Sequence, residues 1–384
     1  MKYPIYLDYN ATTPCDKEVI EAMIPWFGEH FGNAASNSHP YGWLAEDAVE
    51  TAREQIANLI GAKPKEIVFT SGATESINLA VKGIFEFYKG QKQHYITCQT
   101  EHKAVLDTFK SLESKGAEVT YLPVNQFGDI DLNELKSNIQ PHTKMLAFMW
   151  ANNETGLIHP MSDLIKLAKE HDIILFTDAV QAAGKIPIST GGIHLMAISA
   201  HKMYGPKGVG ALYIRHNHHL PKPSAMIEGG GHEKGFRSGT LNVPGIVGFG
   251  KAAQLRPNKL IEDAERLGSL RDALEKRLLS IVGATLNGSR NKRLSHVSNI
   301  SFSGVEGEEL LRRVNKEIAV SSGSACTSIL PKPSHVLAAM GLGSDLGRAS
   351  IRFSLGKETT EKDIAFAADH VLAIVKELRK SNPL

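Results

Sequence analysis

The chain has 384 residues, 42% of them hydrophobic, which is enough to bury a sizeable core and to form two domains. Its formal charge of +2, without a long basic or acidic run, argues against nucleic acid or a membrane surface as the main partner. Three widely spaced cysteines (Cys15, Cys98, Cys326) with no CxxC pair argue against a disulfide framework or a cysteine-rich zinc site and fit a reducing, cytoplasmic setting.

Asp8 and Asp16 fall where the apolar stretch of a secretory signal would lie, and no apolar run approaches eighteen residues. Neither an export signal nor a membrane span is expected. From there, short apolar runs alternate with helical patterns. Residues 67–70 (IVFT) precede a helix from about Thr74, residues 95–98 precede one near His102, and 119–123 follow it. Runs at 145–150 and 173–177 flank the periodic stretch 161–171, and runs at 195–199 and 209–214 complete the series. Uniformly apolar strands alternating with amphipathic helices predict an α/β fold, a mostly parallel sheet with helices on both faces. The pattern changes near Pro257. Between 260 and 281, Leu260, Ala264, Leu267, Leu270, Leu274, Leu278 and Ile281 recur at helical spacing. Strand-like 297–302, a helix near 308–315 and a short apolar run at 318–320 follow. The expected organisation is a large domain over 15–257 and a smaller α+β domain over 258–384, joined by segment 1–14.

Candidate polar residues sit after the apolar runs, where ligands bind in open α/β sheets. Ser71-Gly72-Ala73-Thr74, His102, Asn153, Asp178 and Ser199 to Lys202 are five such strand ends, expected to converge on one crevice. The 71–75 turn offers backbone N–H groups and a positive helix end to a phosphate, or is an ordinary N-cap. No GxxxxGK[ST] occurs, so it is not a nucleotide P-loop. Asp178 suits the ring nitrogen of a pyridine, which it would keep protonated as an electron sink; the alternative is an acidic cap on the next segment. Lys202 alone would read as a solvated side chain. After an upstream strand-end Asp and beside Ser199 and His201, it reads as a Schiff-base amine. Cys326 lies in SSGSACTS, a run of small polar residues typical of an exposed loop, whereas Cys98 at a strand end reads as core and Cys15 as incidental. His216-Asn217-His218-His219 reads as a surface loop rather than a metal site. Gly229-Gly230-Gly231-His232 fits either an anion-binding backbone or a flexible connector.

These segments, with YLDYNATT at 6–13, FTSGATESIN at 69–78, TEHKAV at 100–105, NNE at 152–154, SAHK at 199–202, RSGT at 237–240 and SIRFSLG at 350–356, resemble the NifS/IscS-like cysteine desulfurases. These are class V aminotransferase-family enzymes of fold type I that use pyridoxal 5'-phosphate (PLP). The resemblance implies that Lys202 carries the cofactor, Asp178 pairs with its ring nitrogen, Gln181 bonds the ring hydroxyl and His102 stacks on the ring and shuttles protons. It implies a phosphate cradle of Ala73, Thr74, Ser199 and His201, with Thr240 lent by the second subunit of a homodimer. Asn153 would touch cofactor or substrate. Arg352 would clamp the carboxylate of L-cysteine, and Cys326, in a loop of the group I form, would accept sulfur as a persulfide for a sulfur-acceptor protein. The same cofactor residues serve selenocysteine lyases and aminotransferases, and the Cys326 loop separates the desulfurase from these and from a PLP-binding scaffold without turnover. Ala34 stands where the family usually has proline, and Ala200 replaces a glycine common in relatives. The tail after the helix expected at 364–378 is shorter than the one by which scaffold-feeding relatives dock their partner.

Overall fold

The computed structural model describes residues 3–217, 219–322 and 333–381. Twelve strands occur among them: β1 (Ile5–Tyr6), β2 (Ile67–Thr70), β3 (His94–Cys98), β4 (Glu118–Leu122), β5 (Thr143–Ala147), β6 (Ile174–Asp178), β7 (Leu195–Ser199), β8 (Gly210–Ile214), β9 (Ala284–Leu286), β10 (Val297–Phe302), β11 (Ile318–Ala319) and β12 (Ser350–Ser354). Seven of them form the central sheet in the order β2-β8-β7-β6-β5-β3-β4.

The sheet is α/β and mostly parallel, as the apolar runs predict. It departs from that pattern at β8, which is antiparallel to both β7 and β2. A parallel return needs a crossover of about a dozen residues or more, usually through a helix. Residues 200–209 hold only a 3₁₀ turn over Ala200–Lys202 before β8 begins, so the strand folds straight back. Two reversals give β2 the direction of β7 again. Its carboxyl end therefore opens on the same edge as those of β3, β5, β6 and β7.

The inner strands are largely apolar because both faces are covered, whereas the edge strand β4 is only part-buried. Ile67 and Phe69 of β2 and Leu175 of β6 point into one core, shared with Val49 and Ile56 of the helix Pro40–Ile60 and Phe249 of the helix Val243–Leu255. Val68, Ile174 and Phe176 point into the other, against Ile77 and Ile84 of Ala73–Phe87 and Phe109 of Lys103–Glu113.

A second sheet, β12-β10-β9, is antiparallel, and it packs on Leu267, Leu270, Leu274 and Leu278 of the helix Leu260–Leu278 and Val371 and Val375 of Glu361–Ser381. The leucine spacing marks that helix, although it stops three residues short of Ile281. The apolar run at 318–320 joins neither large sheet. It becomes β11 and pairs in parallel with β1 at the other end of the chain. No helix among the described residues is long and apolar enough to cross a membrane.

Candidate active site

Five strand ends of the central sheet empty into one cavity of about 590 Å³. The turn after β2 contributes Ala73 and Thr74, the loop after β3 gives His102, and the loop after β5 gives Asn153. Asp178 and Gln181 come from the end of β6, and Ser199, His201 and Lys202 from the end of β7. Arg352 reaches in from β12 of the second sheet. Thr240 does not line this cavity. It borders a smaller hollow beside Ser71, Gly208 and Arg237. Cys326 lies outside the described residues, as does His218 of the histidine-rich segment.

The first turn of Ala73–Phe87 points its N–H groups at the cavity, where a helix leaves them without intrahelical acceptors. The turn sits close over β8: a Cβ on Gly210 would lie 2.7 Å from the Gly72 Cα. Glu75 ties the turn down, accepting from the Ser71 N–H at 2.8 Å and from the Arg237 Nε at 2.8 Å. Arg237 belongs to the RSGT segment. That segment is further fixed by Glu233, whose buried carboxylate takes two 2.8 Å bonds from Arg53 and one of 2.7 Å from the Phe69 N–H. The turn at 71–75 and the segment carrying Thr240 are thus mounted on the same strand, β2.

Lys202 follows β7, and its Nζ donates to the carbonyls of Asn10 and Ala11, both at 2.6 Å. Asp178 is buried, with its Oδ1 accepting the Val180 N–H at 3.0 Å. Burial raises its carboxyl above the ordinary range, against the pull of His102, the Val180 N–H and Lys202. His102 caps the helix Lys103–Glu113, and its Nδ1 accepts the Ala104 N–H at 3.1 Å. Nε2 is the ring nitrogen that this cap does not engage. Burial, reinforced by the Lys202 and Lys207 charges, pushes His201 down to about 4, so near neutral pH it offers hydrogen bonds without charge.

Asn10 organises the floor of the site, a role its place in YLDYNATT did not disclose. Its carbonyl accepts from Lys202 and from the Gln181 Nε2 (3.1 Å), and its Nδ2 donates to the Asn153 carbonyl (3.0 Å). Its Oδ1 meets the His296 Nε2 at 2.9 Å and the Lys185 Nζ at 3.4 Å. Lys185 also donates to the Gln181 Oε1 at 2.6 Å, which turns the Gln181 amide nitrogen away from it. Burial and the Lys202 charge hold the Lys185 amine well below its ordinary value.

Two buried carboxyls, Glu101 and Glu154, also escape sequence reasoning. Burial pushes Glu101 up to about 8, with the Asp178 charge adding to it and the Met149 N–H opposing. It pushes Glu154 up to about 7. The Glu154 Oε2 accepts from the Ser334 hydroxyl at 2.5 Å, and the Glu101 carbonyl lies 2.9 Å from the His335 Nε2. The chain just beyond the Cys326 segment is thereby fastened to the two loops that carry His102 and Asn153.

The profile of the Aminotransferase class-V family matches residues 5–366. Cysteine desulfurase IscS of Anaeromyxobacter sp. (strain Fw109-5) is 51% identical over 387 residues, covering 100% of this chain and 95% of that protein. Cysteine desulfurase IscS of Neisseria meningitidis serogroup C / serotype 2a is 50% identical over 386 residues, with the same coverage. Among solved structures, a NifS-like protein superposes with a TM-score of 0.91 at 38% identity, covering 98% of this chain and 100% of its own. SspA in complex with cysteine gives 0.82 at 38% identity, covering 91% of this chain and 98% of its own.

Proposed function

We propose, for a chain that belongs to the aminotransferase class-V family and is a cysteine desulfurase, that Lys202 holds PLP in the cavity and that Cys326 receives the sulfur of L-cysteine. The observation that carries this reading is the meeting of Lys202, buried Asp178, the first turn of Ala73–Phe87 and Arg352 in a single cavity. The donor set suits PLP: an amine for the aldehyde, a buried carboxylate for the ring nitrogen, and a helix N-terminus with Thr74, Ser199 and neutral His201 for the phosphate.

When bound, the cofactor supplies an electron sink that weakens bonds to the substrate Cα and Cβ. The chain's own residues do the rest. Asp178 would keep the ring nitrogen protonated, Gln181 would bond the ring hydroxyl, and His102 would stack on the ring. Arg352, with Asn153, holds the substrate carboxylate and so fixes which Cα bond faces Lys202. Lys202 is the base for the Cα proton, and the Nε2 of His102 returns protons. The Cys326 thiolate attacks the substrate sulfur. The Cβ–S bond breaks with its electron pair left on the carbon skeleton, which takes up protons and leaves as alanine, and Cys326 becomes a persulfide that passes its sulfur to an acceptor protein. A reducing cytoplasm keeps that thiol available.

A homodimer completes the site, with Thr240 of each chain reaching the phosphate held by the other. Supporting this are large apolar side chains left exposed along the N-terminal helices and the Gly229 segment, among them Ile24, Phe27, Phe31, Trp43 and Met226. The separate cores of the two larger sheets support a division near Pro257 into a large and a small unit, with segment 1–14 bridging them.

Borohydride reduction of the purified protein followed by peptide mapping is expected to leave a pyridoxyl group on Lys202. Finding it on Lys207, or on no residue, overturns the assignment. Sedimentation of the holoenzyme at micromolar concentration is expected to give a dimer, and a monomer there overturns the shared site.

A further inference from the structure

Arg352 has a carboxylate partner within the chain itself. The Asp8 Oδ1 lies 2.6 Å from the Arg352 Nη2, and Asp8 lines the same cavity. The other Asp8 oxygen accepts from the Ser321 hydroxyl at 2.8 Å, and the Arg352 Nη1 donates to the Asn153 carbonyl at 3.1 Å. A substrate carboxylate that takes Arg352 side by side would need the nitrogen that Asp8 holds. Two carboxylates crowded onto one guanidinium repel each other strongly where water is scarce.

We propose that Asp8 is a placeholder: it neutralises Arg352 until a substrate carboxylate displaces it, and thereby sets how strongly a ligand must bind to enter. The inference rests on reading Arg352 as the carboxylate clamp. Mounting distinguishes the two partners. Arg352 is in the interior of β12, paired with Asn299 of β10, and its side chain is 7% exposed. Asp8 lies beyond the two-residue β1, is joined to β12 by an isolated bridge to Ser354, and its side chain is 16% exposed. Asp8, the more exposed and less firmly mounted partner, is the one that can turn toward water, and the incoming carboxylate keeps the buried Arg352 guanidinium paired as it does so. A ligand's apparent affinity is then reduced by the fraction of molecules in which Arg352 is occupied. Ligands lacking a carboxylate do not repair the ion pair that they break, so the exchange favours amino acids over amines.

The test uses the holoenzyme and two carboxylates, cysteine as substrate and propionate as a competitor without an amine. In Asp8→Asn, KM for cysteine and the inhibition constant of propionate are both expected to fall about fivefold, with kcat changing less than about twofold. Asp8→Glu, which keeps the charge, is expected to stay near the wild-type values. If both constants are unchanged or rise in Asp8→Asn, the placeholder is overturned and Asp8 is a strut for Arg352. Arg352→Gln separates this from the underlying reading. Loss of cysteine and propionate affinity in that variant keeps the clamp even if Asp8→Asn has no effect, whereas unchanged affinity removes the clamp itself and the placeholder with it.

Discussion

Cys326→Ala is expected to lower alanine release from cysteine to the level seen without enzyme, while the holoenzyme keeps its yellow colour and still binds cysteine. In the proposed site the cofactor and carboxylate contacts come from Lys202, Asp178 and Arg352, none of which the substitution replaces. On the role proposed for Cys326, what is lost is the nucleophile on sulfur, without which the weakened Cβ–S bond has no partner to break toward. The other two thiols do not replace it. Cys98 is fully buried at the end of β3, where burial pushes its thiol well above the ordinary range, and Cys15 is half-buried with its thiol raised for the same reason. Alanine and persulfide yields, measured alongside the absorption change on adding cysteine, check this. Alanine release at the wild-type rate would show that no thiol of this segment is required.

Asp178→Asn is expected to retain the cofactor and to lose activity by about 10²–10⁴-fold, the range over which a misplaced proton costs an enzyme. Asparagine has the same shape, and its Oδ1 can still accept the Val180 N–H now bonded to Asp178. It carries no negative charge, so a ring nitrogen facing it loses the partner that keeps it protonated. Turnover and cofactor content, measured on the same sample, separate this effect from loss of binding. Activity near wild type with full occupancy would remove Asp178 from its role.

The central sheet was legible because its inner strands are buried on both faces, which leaves apolar runs bounded by polar residues. The strand ends were legible for the same reason, since Ser71, Asp178 and Ser199 stand where such a run stops and His102 and Asn153 follow one within a few residues. The reversal of β8 was not, because an apolar strand reads alike in either direction and only the short connection before it carries the signal. Asp8, Asn10 and Lys185 were missed as site residues because their partners lie far along the chain. Asn10 meets Gln181, Lys202 and His296, and nothing in its neighbours announces those contacts. Glu101 and Glu154 read as ordinary acidic residues until burial is known.

The edge position of β2 has a consequence for how the protein is made. Among the described residues its only strand partner is β8, with Ile67 beside Tyr213, and β1 waits longer still, for Ile318. At ribosomal speeds of about 5–20 residues per second, β2 leaves the ribosome roughly 7–30 s before β8 exists to pair with it. During that interval, four consecutive apolar or β-branched residues present open backbone groups, the template that stray strands add to. The turn at 71–75, proposed to cradle a phosphate, is mounted on this strand, so the cavity assembles only after more than half of the chain has been synthesised. Under the proposed assignment cofactor capture is a late event in biogenesis, and nascent chains stalled before residue 214 are expected to need chaperone protection rather than PLP.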